Sequence, residues 1–152
     1  MKLTTKGRYA ITAMIDIALN ENNFPVSLRD ISKRQGISLS YLEQLFSKLK
    51  NASLVKSVRG PGGGYTLRRG ASKINLFEII TAVDENMDQT ECGGEMNCSN
   101  DRPCLTHFIW TDLTEKINDH MKKISLHDTL QGFNVKYIID KREQNYDNKL
   151  AQ

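Results

Sequence analysis

Proline is scarce, with three in 152 residues, so little interrupts helix formation. Cysteine is as scarce, and the three present are confined to the stretch Cys92–Cys104. An odd number so closely spaced excludes a self-contained disulfide framework. No long apolar run exists. The longest, Ala10 to Leu19, is interrupted by Asp16 and falls far short of the ~20 residues that span a bilayer. Lys2, Lys6 and Arg8 ahead of it imitate a secretory signal, but Asn20-Glu21-Asn22-Asn23 stands where small cleavage-site residues belong. A cytoplasmic chain with no membrane partner is expected. Hydrophobic residues at 39% and charged residues at 26% fit a globular chain of one domain, or one small domain with an appendage.

The net charge of +3 conceals an asymmetry. Residues 1–82 hold 13 Lys+Arg against 5 Asp+Glu, a net +8, whereas residues 83–152 hold 8 against 13, a net −5. A basic half beside an acidic half suggests that only the first meets a polyanion; a solvated basic face is the alternative.

Ala10, Ala13, Met14, Ile17 and Ala18 recur at helical spacing and predict a largely buried first helix over 5–21. Phe24-Pro25 breaks it. Ser27 opens a short helix, with Asp30 as a capping-box partner, and Gly36 ends it. Ser38 or Ser40 starts the next helix, and Ser40 with Glu43 fits a second capping box. Leu42, Leu45, Phe46 and Leu49 are its buried stripe, while Tyr41, Glu43, Gln44, Ser47 and Lys48 lie opposite. Two short helices, a glycine turn and a polar second helix form the pattern of a helix-turn-helix over 28–51.

A hairpin follows. Val55–Arg59 and Gly64–Arg68 read as strands around the tip Gly60-Pro61-Gly62-Gly63-Gly64, with Arg59, Arg68 and Arg69 beside it. Placed after a helix-turn-helix, this basic hairpin (54–68) reads as a wing that tracks phosphates or enters a minor groove. A glycine-rich nucleotide cradle is the weaker reading, because such a cradle leads into a helix and Tyr65-Thr66-Leu67 is a strand pattern. Asn75 with Glu78 caps a helix over 76–83. A polar loop follows, then a regular helix over 105–124 with the stripe Leu105, Phe108, Ile109, Leu113, Ile117, Met121 and Ile124, about 30 Å long. The small N-terminal domain offers little surface to cover that stripe, so a second copy of the chain is expected against it. Packing on its own domain is the alternative. Leu126–Leu130 adds a short turn of helix, and beyond Gly132 a loose end is expected. The fold class is therefore mainly α: a winged helix-turn-helix domain (1–82), a cysteine loop (83–104), a dimerisation helix (105–131) and a flexible tail (132–152).

Cys92, Cys98, Cys104 and His107 form C-x5-C-x5-C-x2-H among polar neighbours, where buried structural cysteines would instead sit on apolar faces. In a reducing compartment this set reads as a metal site. Five-residue gaps are loose for a zinc knuckle, and a histidine is unusual beside iron–sulfur thiolates, so spacing alone leaves zinc and iron–sulfur open. His120 and His127 read as solvated. No catalytic set is assignable, and a non-enzyme is expected.

Three segments carry a resemblance: Ser38–Phe46, Val58–Tyr65, and the Cys92/Cys98/Cys104 set with Cys104-Leu105-Thr106-His107. With the opening Met1–Ala10 they make the chain, to about Leu130, similar to the bacterial iron–sulfur cluster regulators of the IscR type. The resemblance implies a 2Fe–2S cluster on Cys92, Cys98, Cys104 and His107 in a homodimer bound to double-stranded promoter DNA. It implies control of genes of iron–sulfur cluster assembly, its own operon included. Ser38, Ser40, Tyr41, Glu43, Gln44, Lys48 and Arg59 are the candidate DNA contacts. A zinc-stabilised regulator and a small electron carrier are the competing functions; a carrier needs neither the wing nor the basic half. Glu43 is distinctive. A carboxylate against DNA is repelled unless it meets a donor such as the cytosine amino group, so it is a candidate selectivity filter as well as a capping residue.

Overall fold

A computed structural model of the chain describes residues 3–22, 24–132 and 134–151. Met1 and Lys2 of the opening motif, Asn23 after the first helix, and Phe133 and Gln152 of the tail lie outside the described residues. The order of elements is α1 (Thr5–Asn20), α2 (Leu28–Gln35), α3 (Leu39–Asn51), β1 (Val55–Val58), β2 (Gly64–Leu67), a 3-10 turn (Ala71–Lys73), α4 (Leu76–Ala82), α5 (His107–Lys123), α6 (Leu126–Gly132) and α7 (Val135–Leu150). Among the described residues no helix is long and apolar enough to cross a membrane.

The core is built from the predicted stripes. Ala10, Ala13, Met14 and Ile17 of α1, Ile31 of α2, and Leu42, Leu45, Phe46 and Leu49 of α3 are all buried. Burial of Phe46 alone contributes roughly 2–3 kcal/mol. Its ring packs on Tyr65 of β2 at a centroid distance of 4.8 Å, which fixes the wing to α3. The hairpin pairs antiparallel with Val55 opposite Leu67 and Val58 opposite Gly64. Val26 adds an isolated bridge to Tyr65, and a Cβ on Gly64 would lie 2.3 Å from the Val26 carbonyl oxygen, so only glycine fits there.

Caps decide the boundaries. Ser27 accepts from the Asp30 amide at 3.1 Å, half of the predicted box, and Gly36 ends α2 in the left-handed conformation at φ 66°. Ser38 is the residue that caps α3, accepting from the Tyr41 amide. Ser40 therefore lies inside the helix, and the predicted Ser40–Glu43 capping box does not form. Ser38 is already in the extended conformation that an N-cap needs, so the helix starts before Ser40. Asn75 and Glu78 form the full box on α4.

Several boundaries shift by a residue or two, and three differences from the sequence reading bear on the site and the tail. α4 ends at Ala82 because Asp84 turns left-handed at φ 56°. The long helix begins at His107, two residues late: Cys104-Leu105-Thr106 form a turn closed by the His107 amide on the Cys104 carbonyl at 3.1 Å. Leu105 consequently leaves the stripe and is fully exposed. The stretch read as a loose tail is helical over Val135–Leu150. It lies along α1 and α2, where Val135, Ile138 and Ile139 line a cleft with Thr12, Ile15 and Leu19.

α1 and α2 are joined by a polar contact that hydropathy patterning does not reveal. Asp16 is buried and accepts from Arg34 Nη2 at 2.6 Å, Arg34 Nε at 3.0 Å and Gln35 Nε2 at 2.7 Å. A buried charge is tolerable only with such partners. Arg142 of α7 extends the network by donating to Gln35 Oε1 at 2.9 Å.

Candidate metal centre and nucleic-acid face

The loop between α4 and α5 starts as a set of anchors. Glu85 accepts from the Thr4 amide, the Thr4 hydroxyl and the Gly7 amide at 3.1 Å, and so supplies the cap that Thr4 does not give α1. Met87 is buried. The Gln89 amide donates to Thr114 Oγ1 of α5 at 2.9 Å, and Asp88 accepts from the Thr90 amide and hydroxyl. Thr90 in turn accepts from the Gly94 amide. The chain then winds through left-handed Gly93, Gly94, Met96, Asn100 and Asp101, a path that folds fifteen residues of sequence back on themselves.

That path converges three of the four candidate ligands. Cys92 Sγ lies 3.5 Å and Cys98 Sγ 3.7 Å from His107 Nδ1, and the three ligand atoms fall within 4.8 Å of one another. Cys104 is not part of this tight group. Its amide donates to Cys98 Sγ at 3.0 Å, while its own Sγ sits 3.5 Å from Thr106 Oγ1. All four residues nonetheless line one cleft of about 560 Å³, with Thr90 and Trp110 on its walls. His107, the first residue of α5, is buried with Nδ1 toward the thiols; Nε2 lies 3.4 Å from Thr111 Oγ1, whose hydroxyl also reaches the His107 carbonyl. An Nε2–H that donates to Thr111 leaves the Nδ1 lone pair facing the sulfurs, the tautomer that a metal needs.

The electrostatics match the donor set. Partial burial pushes the Cys92 thiol up, but the Met96 and Gly94 amides and the Thr90 hydroxyl outweigh it and bring its pKa to about 7. The Thr106 hydroxyl, with Cys98 and backbone amides, lowers Cys104. For Cys98 the Cys104 amide favours the thiolate, but burial and the neighbouring sulfurs prevail and raise it. Thiols are thus held among N–H and O–H donors that favour thiolates, while mutual repulsion limits how many ionise. A bound cation relieves that repulsion. Three soft donors and one imidazole therefore fit a thiophilic metal or an iron–sulfur group. His120 and His127 are exposed, away from this set.

The second surface is the outward side of α3 with the wing. Ser40, Glu43, Gln44 and Ser47 are exposed. Tyr41 is half-buried, edge-on to Tyr9 at 5.8 Å. Ser38 is exposed, its hydroxyl held by capping. Arg59 projects into solvent at the base of the wing tip, where Gly60 and Gly62 adopt positive φ. Lys48 is the exception: its ammonium is bonded to Asp84 Oδ2 at 2.7 Å, a partner that sequence reasoning missed because it lies 36 residues away.

Residues 3–132 match the model of the Rrf2 family, described as iron-dependent transcriptional regulators. The chain belongs to that family. It is 51% identical over 145 residues to the HTH-type transcriptional regulator IscR of Erwinia tasmaniensis, covering 95% of this chain and 88% of that protein. It is 53% identical over 143 residues to the regulator of the same name in Vibrio vulnificus, covering 94% and 85%. Among solved structures, T. potens IscR superposes with a TM-score of 0.71 at 37% identity, covering 86% of this chain and 87% of that one. CymR, the global cysteine regulator of B. subtilis, gives 0.72 at 33% identity, covering 84% and 95%. The chain is a mainly helical winged helix-turn-helix transcription regulator that binds DNA.

Proposed function

We propose that this regulator senses iron–sulfur cluster supply through a 2Fe–2S cluster held by Cys92, Cys98, Cys104 and His107. On this reading it controls genes of cluster assembly, its own operon included, and is a regulator rather than an enzyme, working in the cytoplasm. The observation that carries the reading is the convergence of Cys92, Cys98 and His107 Nδ1, with Cys104 on the same cleft. When bound, the cluster supplies a labile cross-link between the loop and the start of α5. The chain's own residues do the rest. Thr111 orients His107, Thr90 and the loop amides hold the thiolate of Cys92, and three thiolates with one neutral imidazole grip less firmly than four thiolates, which suits a sensor.

The regulator acts as a homodimer on this proposal, because Phe108 and Ile109 of α5 are 66% and 61% exposed in the single chain. Two copies of α3 then enter successive major grooves through Ser38, Ser40, Tyr41, Glu43, Gln44 and Lys48, and Arg59 reaches a minor groove. Anaerobic purification with iron, sulfide and zinc quantified per chain tests the metal. Two irons and two sulfides are expected, with most of the cluster lost on Cys92→Ala, Cys98→Ala, Cys104→Ala or His107→Ala. Stoichiometric zinc in a colourless protein refutes it. If the dimer makes ~6–10 phosphate contacts, log K falls with log salt at a slope of about −5 to −9.

A further inference from the structure

Asp84 stands where a helix ending in a left-handed residue most often has glycine. Val83 closes α4, and the Asp84 amide bonds the Thr81 carbonyl at 3.1 Å. An aspartate there carries a steric cost that glycine avoids, and its carboxylate is spent on one partner, Lys48 of α3. The Lys48 side chain is 41% exposed and that of Asp84 74%, so solvent screens the pair and it does little to hold the fold. A second ammonium, Lys6 of α1, donates to the Asp84 carbonyl at 3.0 Å. Two cations from the basic half thus converge on the first residues of the acidic half. The junction is firmly placed, since Glu85 next door is bonded to Thr4 and Gly7 at the start of α1. It also runs on into the cysteine loop through Asp88, Gln89 and Thr90, which link to Thr114 of α5 and to Gly94.

We propose that Asp84 is a positioning residue for DNA binding: its carboxylate competes with DNA phosphate for Lys48, so the loop that carries the candidate metal ligands governs how many phosphates α3 engages. The proposal rests on the reading that the α3 face lies on DNA. A phosphate that takes Lys48 must displace a carboxylate already bound there, so the contact exchanges one ion pair for another instead of adding one. Any movement of the junction that draws Asp84 away frees Lys48 for the backbone. The effect is independent of base sequence, because phosphate contacts carry none.

The test is the salt dependence of binding to an arbitrary duplex by metal-free protein. Asp84→Gly removes the carboxylate and suits the left-handed backbone; Asp84→Asn, which also tolerates that conformation, is the second variant should the first fold poorly. Each chain should gain one net phosphate ion pair, steepening the slope by about 0.9 per chain and about 1.8 for the DNA-bound dimer, so that a fourfold rise in salt costs about 12-fold more affinity than in wild type. Lys48→Gln in the Asp84→Gly background should abolish the gain. A wild-type slope near zero sinks the placement of α3 on DNA, and this proposal with it. A normal wild-type slope unchanged by both Asp84 variants overturns this proposal alone, as does a steepening that survives Lys48→Gln. Zinc in place of iron leaves the test intact.

Discussion

Glu85 and Gly7 form a pair whose coupling has a calculable sign. Glu85 replaces the missing side-chain cap of α1, accepting from Thr4 and from the Gly7 amide. Loss of an N-cap costs about 1 kcal/mol, and a carboxylate near a helix N-terminus adds about 0.3–1 kcal/mol. Glu85→Ala should therefore cost about 1–2 kcal/mol, or roughly 3–6 °C in Tm for a chain of this length. Gly7→Ala would ordinarily stabilise a helix by about 0.8–1 kcal/mol. Here a Cβ on Gly7 would lie 3.2 Å from both Glu85 Cγ and Oε2, so the capping carboxylate must give by a few tenths of an ångström, which weakens its bonds to Thr4 and Gly7. The substitution is expected to be neutral or destabilising in wild type and stabilising by about 0.8–1 kcal/mol in Glu85→Ala. Urea melts of the four variants give the coupling, expected at about 1 kcal/mol or more. Equal stabilisation by Gly7→Ala in both backgrounds refutes the cap. Acid titration is a second check. Burial pushes the Glu85 carboxyl up, but the Thr4 and Gly7 hydrogen bonds, aided by Lys6, leave it below the usual glutamate value. Its contribution is then complete above the unfolded pKa of about 4.3 and lost as pH falls through the lower folded value. The stability gap between wild type and Glu85→Gln should narrow as pH drops from 6 toward 3.

Three further outcomes are expected. Thr111→Val removes the acceptor facing His107 Nε2 and should weaken metal retention about tenfold, read by chelator competition, whereas Thr111→Ser should restore it; equal retention in all three proteins counts against the orienting role. Phe108→Glu should leave the chain folded and weaken the dimer by roughly 2–4 kcal/mol, ~30-fold or more in Kd, measured by sedimentation; an unchanged dimer removes the α5 face from the interface. Glu43 has no hydrogen-bond partner among the described residues, so Glu43→Ala should leave the melting curve alone and let metal-free protein bind promoter sites that wild type rejects. A uniform affinity change across a panel of sites contradicts the filter role.

The elements legible in the sequence were those set by local periodicity and caps. Leu42, Leu45, Phe46 and Leu49 announce α3, Asn75 with Glu78 announces α4, and the glycines from Gly60 to Gly64 announce a hairpin tip, because each signal is complete within a few residues. The candidate ligand set stood out as a spacing, and three of its four residues converge in the fold. What remained hidden depends on residues far apart in sequence. Glu85 caps a helix 78 positions away, and Lys48 finds Asp84 across 36. Asp16 read only as an interruption of an apolar run, although it joins α1 to α2. The choice between Ser38 and Ser40 turned on backbone conformation, which a sequence with serine at both positions does not reveal. α7 was missed because its apolar residues are few and one of its polar residues, Arg142, reaches back to α2.

On the proposed function, the position of His107 would let the loop report on its contents. α5 begins at a residue that is also a candidate ligand, and Thr106 before it provides no side-chain cap. The first amides of the helix are instead taken by the Cys104 and Thr106 carbonyls, and the His107 ring is fixed through Nε2 by the Thr111 hydroxyl. Phe108 and Ile109, the exposed apolar residues, follow at once. On the other side of the loop, Met96 holds a left-handed backbone at φ 62°, a conformation that costs about 1 kcal/mol or more and persists only when its surroundings enforce it. The sulfurs of Cys92 and Cys98 flank that residue. An occupant that ties these sulfurs to His107 would stabilise the strained turn and the uncapped helix start together. Its loss would release both, at one end toward the α5 face and at the other toward Asp84 and Glu85. Because Glu85 holds α1 and Asp84 holds Lys48 of α3, the released end of the loop is already bonded to the face proposed to meet DNA. A chain with its ligands on a separate, freely linked segment would have no such contact through which to act.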